Sequence, residues 1–235
     1  MAIDWFREPG WDEQDQAQFE DRLRRARSWN RPQYLRIKGL ALVDAGELRG
    51  ARDLFERVTS DHPDSLDAAP AREHLGDVAV RTGESVEAEL HFRTLLADHP
   101  TLSATTGLAE VKLAEVLIQR GEESDRREAQ DLLDAANGRS GGGLAFNNGR
   151  FRWFIAQAAL ASQAGDLELQ LQAARAALDL VGREPQLPRH PTVGLVDADV
   201  QILNWLRNAA GVLGPRDNAG PWPKTRKRTL LWRKR

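Results

Sequence analysis

The side chains able to hold a metal or move a proton are five His and an abundance of carboxylates, with no Cys at all. Without thiols there is no disulfide, no thiolate metal site and no thiol nucleophile. His74, His91 and His190 have no partner at the His-x3-His or His-Glu-x2-His spacing of a helical zinc site. His62 and His99 each sit inside an Asp-His-Pro triplet, 37 residues apart, equivalent turn positions that read as structural, capping helix ends. No Gly-x-Ser-x-Gly nucleophile motif occurs, and Asp12, Glu13 and Asp15 fall on the exposed face of an expected helix. The run Asn137 to Gly143 lacks the Gly-Lys-Ser/Thr ending and the preceding strand of a phosphate loop, so it reads as a mobile connection. The expectation is a protein that is not an enzyme, with no metal and no cofactor.

Charge is the other chemistry on offer. Residues 215–235 hold eight Lys or Arg against one Asp, a charge of +7, which leaves −9 on the preceding 214 residues of a chain whose net charge is −2. Lys224, Arg226, Lys227, Arg228, Arg233, Lys234 and Arg235 surround Leu230, Leu231 and Trp232, so a basic patch carries an apolar anchor. Such a tail attracts nucleic-acid phosphates, an acidic membrane surface or an acidic protein, or else it is solvated or folds back on an acidic body. The bias of 28 Arg to 5 Lys reads as the codon supply of a GC-rich, bacterial genome.

The elements that position these residues announce themselves by repetition. Gly39, Gly46, Glu47, Ala51, Phe55 and Asp61-His62-Pro63 recur as Gly76, Gly83, Glu84, Ala88, Phe92 and Asp98-His99-Pro100, every pair 37 residues apart. Each copy reads as two helices. In the first, Pro32 opens a helix capped by Asn30 or Arg31; Leu35, Gly39 and Leu42 form one stripe; Ala45-Gly46 ends it. Gly39 in mid-helix costs roughly 1 kcal/mol against Ala, so a close approach by the partner helix is expected there. Leu48, Ala51, Leu54, Phe55 and Val58 then form the second stripe.

This pattern resembles the tetratricopeptide repeat (TPR), in Gly39, Ala51, Phe55 and Pro63 and again in Leu75, Gly76, Ala88, Phe92 and Pro100. Leu35 and Arg72 stand at the family's opening aromatic, Leu42 and Ala79 at its second, and the period exceeds the usual ~34 residues by about three. A third copy reads through Leu113-Ala114, Leu117, Gly121, Ala129, Leu133 and Ala136, its wider Gly121-to-Ala129 spacing taken as a loop insertion. A fourth reads through Phe154, Ala158, Ala161, Gly165-Asp166, Leu171, Ala174 and Leu178. The expected fold is all-α: a right-handed superhelical solenoid of stacked helix-turn-helix repeats with capping helices.

The organisation follows. Residues 1–29 are an N-terminal capping segment, with Phe19, Leu23 and Ala26 on one helix face and Trp5, Trp11 and Trp29 as end cap or aromatic platform. Residues 30–182 hold the repeats, about 30–66, 67–103, 104–137 and 148–182. Residues 183–214 are a Pro-rich loop and a C-terminal capping helix along Val196, Val200, Leu203, Leu206 and Ala210, with Trp205 at its edge; the basic tail occupies 215–235. The first residues are neither a basic start nor an apolar core, so no signal peptide is expected, and no apolar run reaches the ~20 residues of a membrane span. A cytoplasmic location follows from that reading.

In TPR proteins the first helices of successive hairpins line a concave face that holds a peptide. The resemblance therefore implies groove residues Arg36, Leu40 and Val43; Glu73, Asp77, Val80 and Arg81; Glu115, Ile118 and Gln119; and Arg152, Ile155 and Ala159. Leu40 and Asp77 stand where one subfamily places the Asn residues that clamp a C-terminal carboxylate, so that clamp is not expected. The implied function is a non-enzymatic scaffold for a protein or peptide partner. The alternative is a nucleic-acid-associated or regulatory adaptor acting through the tail, and self-association through the fourth repeat and capping helix is a third option.

Overall fold

The computed structural model describes residues 4–139, 142–187, 189–190 and 192–212, and among them it is all-helical, with ten α-helices and no strand. The basic tail residues Lys224 to Arg235 lie outside the described residues. The chain divides into two compact units, Met1–Thr105 and Thr106–Arg235.

The first unit contains α1 (Glu13–Arg25), α2 (Arg31–Ala45), α3 (Leu48–Asp61), α4 (Ala68–Thr82) and α5 (Ser85–Asp98). From α2 onward, each helix packs on the next in sequence: α2 on α3, α3 on α4, α4 on α5. The two hairpins turn identically. Gly46 and Gly83 adopt φ of +88° and +84°, and the following Glu47 and Glu84 amides each bond to the carbonyl five residues back, at 2.9 Å. That left-handed residue closes the helix end without a Cβ clash, and Gly165-Asp166 repeats it in the second unit.

Gly39 is explained by its neighbour. A methyl group there would meet the Phe55 ring at 2.5 Å, and one on Gly76 would be driven into Phe92 in the same way. Both rings are fully buried. Each hairpin thus exchanges helix propensity, worth about 1 kcal/mol, for the burial of an aromatic ring against backbone, worth more. His62 and His99 are the residues just past α3 and α5, their backbone amides bonded to Val58 and Leu95 carbonyls at 3.2 and 2.9 Å.

The open end of the first hairpin is covered by the N-terminal segment. Asp12 and Asp15 form a reciprocal capping box at the start of α1, which buries Phe19 and Leu23. Phe6 stacks on Tyr34, Trp5 meets both rings edge-on, and Trp11 lies over Gly50 of α3. The ammonium of Lys38 in α2, 2% exposed, donates to the Glu8 and Gly10 carbonyls at 2.6 and 2.9 Å beneath the Trp11 and Phe19 rings. Trp5 and Trp11 therefore pack as cap, whereas Trp29 is 69% exposed.

The second unit contains α6 (Ala109–Arg120), α7 (Glu123–Gly138), α8 (Asn147–Ala164), α9 (Leu167–Leu178) and α10 (Val200–Ala209). Here α6 pairs with α7, α8 packs on both, α9 pairs with α8, and α10 closes on α9. Every residue of α6 from Ala109 to Ile118 is buried, the mark of a helix surrounded on all sides. Two sequence expectations are corrected here. Only Gly121-Glu122 separate α6 from α7, so the three additional residues before Ala129 are extra helix, not a loop insertion. That extra turn is pinned by Asp125, which accepts from Arg120 at 2.6 and 2.8 Å. The glycine run is not simply a mobile connection either: α7 continues through Gly138, and Gly143 is buried with its amide bonded to the Gly107 carbonyl. A methyl at Gly143 would meet Leu108 at 2.5 Å, so glycine is there to let backbones approach. In the Pro-rich loop Gln186 takes the Asn147 amide at 2.5 Å and donates to the Ala145 carbonyl, capping α8 from a distance. Ile202, Trp205, Leu206 and Ala209 are the buried face of α10, with Asp199 as its cap; Val196 precedes the helix.

Candidate functional site

The residues implied as a groove are placed in two separate groups, one in each unit. In the first unit α2 and α4 touch directly; of the residues implied as a groove, Arg36, Leu40 and Val43 stand on α2 and Asp77, Val80 and Arg81 on α4. Arg36 Nε pairs with the Asp67 carboxylate at 2.5 Å, just before α4 begins. Arg81 Nη1 donates to the Val43 carbonyl at 3.0 Å. Burial pulls the Arg81 guanidinium below its ordinary pKa, while the carboxylates of Asp44 and Asp77 pull the other way. Glu73 is fully buried and faces no solvent. Leu40, Val43, Asp77 and Val80 are part-buried, and Asp44 is exposed.

In the second unit α6 and α8 stand in the same relation. Arg152 of α8 grips Glu115 of α6 through two parallel bonds, the longer at 2.6 Å, with both side chains nearly buried. Ile118, Ile155 and Ala159 are core, while Gln119 is half-buried. A charged fork of this kind fixes the spacing of two helices, because losing one partner would strand a buried charge.

A device that sequence reasoning missed occurs once within each unit. Arg81 stands two residues before the turn glycine Gly83 and reaches the carbonyl of Val43, three before Gly46. Gln163 stands two before Gly165 and donates at 2.7 Å to the carbonyl of Ile118, three before Gly121. In each case a donor near the end of one first helix satisfies a terminal carbonyl of the preceding first helix. The signal was present as position relative to the turn glycine. It was obscured because the donor is Arg in one copy and Gln in the other. Asp67 and Lys38 were missed for a different reason: a loop carboxylate and a mid-helix Lys look solvated until tertiary contacts bury them.

Among the described residues no group of three or more His, Cys, Asp or Glu side chains could hold a metal ion, and no helix is long and apolar enough to cross a membrane. His74 lies against Phe55, and His190 is exposed. His91 is held below its ordinary pKa by burial and by Arg72, and its buried Nδ1 has no hydrogen-bond partner. No protein-family model matches the chain, and no curated protein matches it.

Proposed function

We propose that this protein is a non-enzymatic scaffold of TPR-like helical hairpins that binds a protein segment along the meeting line of α2 and α4. The observation carrying this reading is the twice-repeated hairpin whose first helices touch, with Leu40, Val43 and Val80 of those helices only partly buried and Arg81 in the field of Asp44 and Asp77. That set suits a segment with one or two aliphatic anchors and charges of both signs. Arg36 and Arg81 hold Asp67 and the Val43 carbonyl, so their reversal would confuse folding with binding. The cleaner test is Leu40→Gln with Val80→Gln. Affinity capture from native cells is expected to lose the partner recovered by the unaltered chain, with helicity unchanged by circular dichroism; equal recovery by the variant removes this face.

A second reading rests on the +7 charge of residues 215–235: an adaptor that contacts nucleic acid through the tail. Anisotropy with duplex DNA and with RNA is expected to show affinity falling steeply with salt and lost when the seven Lys and Arg of 224–235 become Gln. Salt-insensitive binding, or binding kept by that variant, rejects it.

A further inference from the structure

The outer surface of α5 departs from its own repeat. In the first copy the positions equivalent to Val86 and Leu90 are Arg49 and Asp53, 37 residues earlier, which keep the outside of α3 charged. In the second copy those positions are aliphatic, and Val86 and Leu90 are 76% and 61% exposed. They lie one helical turn apart, and exposed Ala97 extends the same stripe two turns further. Nothing in the hairpin itself requires aliphatic side chains there, since the first copy does without them.

This stripe has an acidic flank. Glu87 stands beside it on α5, and Asp53 and Glu56 stand on the neighbouring surface of α3; none of the three forms an ion pair with another described residue. Glu56 is raised above its ordinary pKa by partial burial and by the charges of Asp53 and Glu87, partly offset by Arg52. Of the nearby cations, Arg52 is engaged by Glu84 and Arg93 by Glu89 at 2.8 Å, which leaves exposed Arg49, one turn before Asp53 on α3, against the three carboxylates. Residues 1–105 as a whole carry 20 carboxylates against 14 Lys and Arg.

One segment of this chain has the complementary chemistry. Residues 224–235 set Leu230, Leu231 and Trp232 among seven Lys and Arg. We propose that the aliphatic stripe of α5, with its flank Asp53, Glu56 and Glu87, is a docking face for the basic C-terminal segment of a second copy of this chain. Aliphatic and indole side chains cover Val86 and Leu90 while the guanidinium and ammonium groups relieve the carboxylates. The contact is heterologous: the face of one copy takes the tail of another, so copies join head to tail. This inference stands apart from the α2–α4 surface and does not depend on it.

The test is complementation between two full-length variants. The face variant is Val86→Lys with Leu90→Lys, and Val86→Gln with Leu90→Gln repeats it without added charge; all alter exposed positions. The tail variant is Leu230→Ser, Leu231→Ser and Trp232→Ser. By sedimentation equilibrium at low salt, the unaltered chain is expected to gain mass with concentration and to return to monomer at about 0.5 M salt. Each variant alone is expected to associate at least ~10-fold more weakly, with unchanged helicity, whereas an equimolar mixture of Lys face variant and tail variant restores a heterodimer. The proposal is overturned if the unaltered chain stays monomeric at all concentrations, which includes a tail that folds back on its own chain. It is equally overturned if either face variant associates like the unaltered chain, if the mixture remains monomeric, or if the tail captures only nucleic acid.

Discussion

At the residue scale the fold turns on pairs in which one member is small so that another can be large. Gly39 with Phe55 and Gly76 with Phe92 are the same pair made twice. Gly76→Ala is expected to destabilise by ~1–3 kcal/mol, since the added methyl must displace a fully buried ring. Thermal unfolding measures it, and an equal or higher midpoint would deny the close approach. His91 gives a pH dependence. Its pKa lies below the ordinary 6.5 in the folded chain because burial and Arg72 disfavour the imidazolium. Between the two values the unfolded chain binds more protons, so this residue lowers stability as pH falls through 6.5 towards the folded value. Denaturant midpoints measured across that window should fall on acidification, and His91→Asn should flatten the fall.

At the element scale the hairpins are joined through their ends. Arg81 and Gln163 satisfy equivalent carbonyls of the preceding first helix, at Val43 and Ile118. Arg81→Met keeps the aliphatic stem and removes the donor. It is expected to cost ~1 kcal/mol or somewhat more, the guanidinium being only half-buried. Amide hydrogen exchange at the α2 end should quicken before the rest of the unit; uniform acceleration would mean that the bond is incidental. The connection after α5 holds two non-glycine residues in the left-handed region, Leu102 at φ +51° and Ala104 at +63°. Ala104 is exposed, so Ala104→Gly relieves strain without opening a cavity. Stability should rise by ~1 kcal/mol, less the entropy glycine adds to the unfolded chain.

At the scale of the whole molecule, the chain is electrically divided: −9 over the first 214 residues and +7 over the last 21. Association between copies, or with any polyanion, should therefore be strongest at low ionic strength and fall as the Debye length shrinks. The body is equally divided in packing, into the two compact units bounded at Thr105 and Thr106. Each unit has its own pair of adjacent first helices and its own clamp between them, Arg36 to Asp67 in one and Arg152 to Glu115 in the other. The more deeply buried clamp is the more costly to break. Glu115→Gln, which leaves Arg152 nearly buried and under-compensated, should thus lower the unfolding midpoint more than Asp67→Asn.

The sequence by itself determined the first two hairpins, their glycine turns and the close approach at Gly39, because these depend on spacings of a few residues that repeat 37 apart, while the structure identified the Phe55 and Phe92 rings as what approaches Gly39 and Gly76. Glycine at a helix end and apolar residues three or four apart have one local meaning whatever surrounds them. Only the tertiary structure decided which charged residues face water. Arg36, Arg81, Glu115 and Arg152 read as groove contacts from their place on first helices. Three-dimensional packing turned them inward onto Asp67, the Val43 carbonyl and each other. It likewise made the glycine run near 143 a site of close backbone packing, and revealed that Val86 and Leu90 remain outside. A charged side chain is long and can reach a partner on any element, so its fate depends on neighbours that no local spacing records.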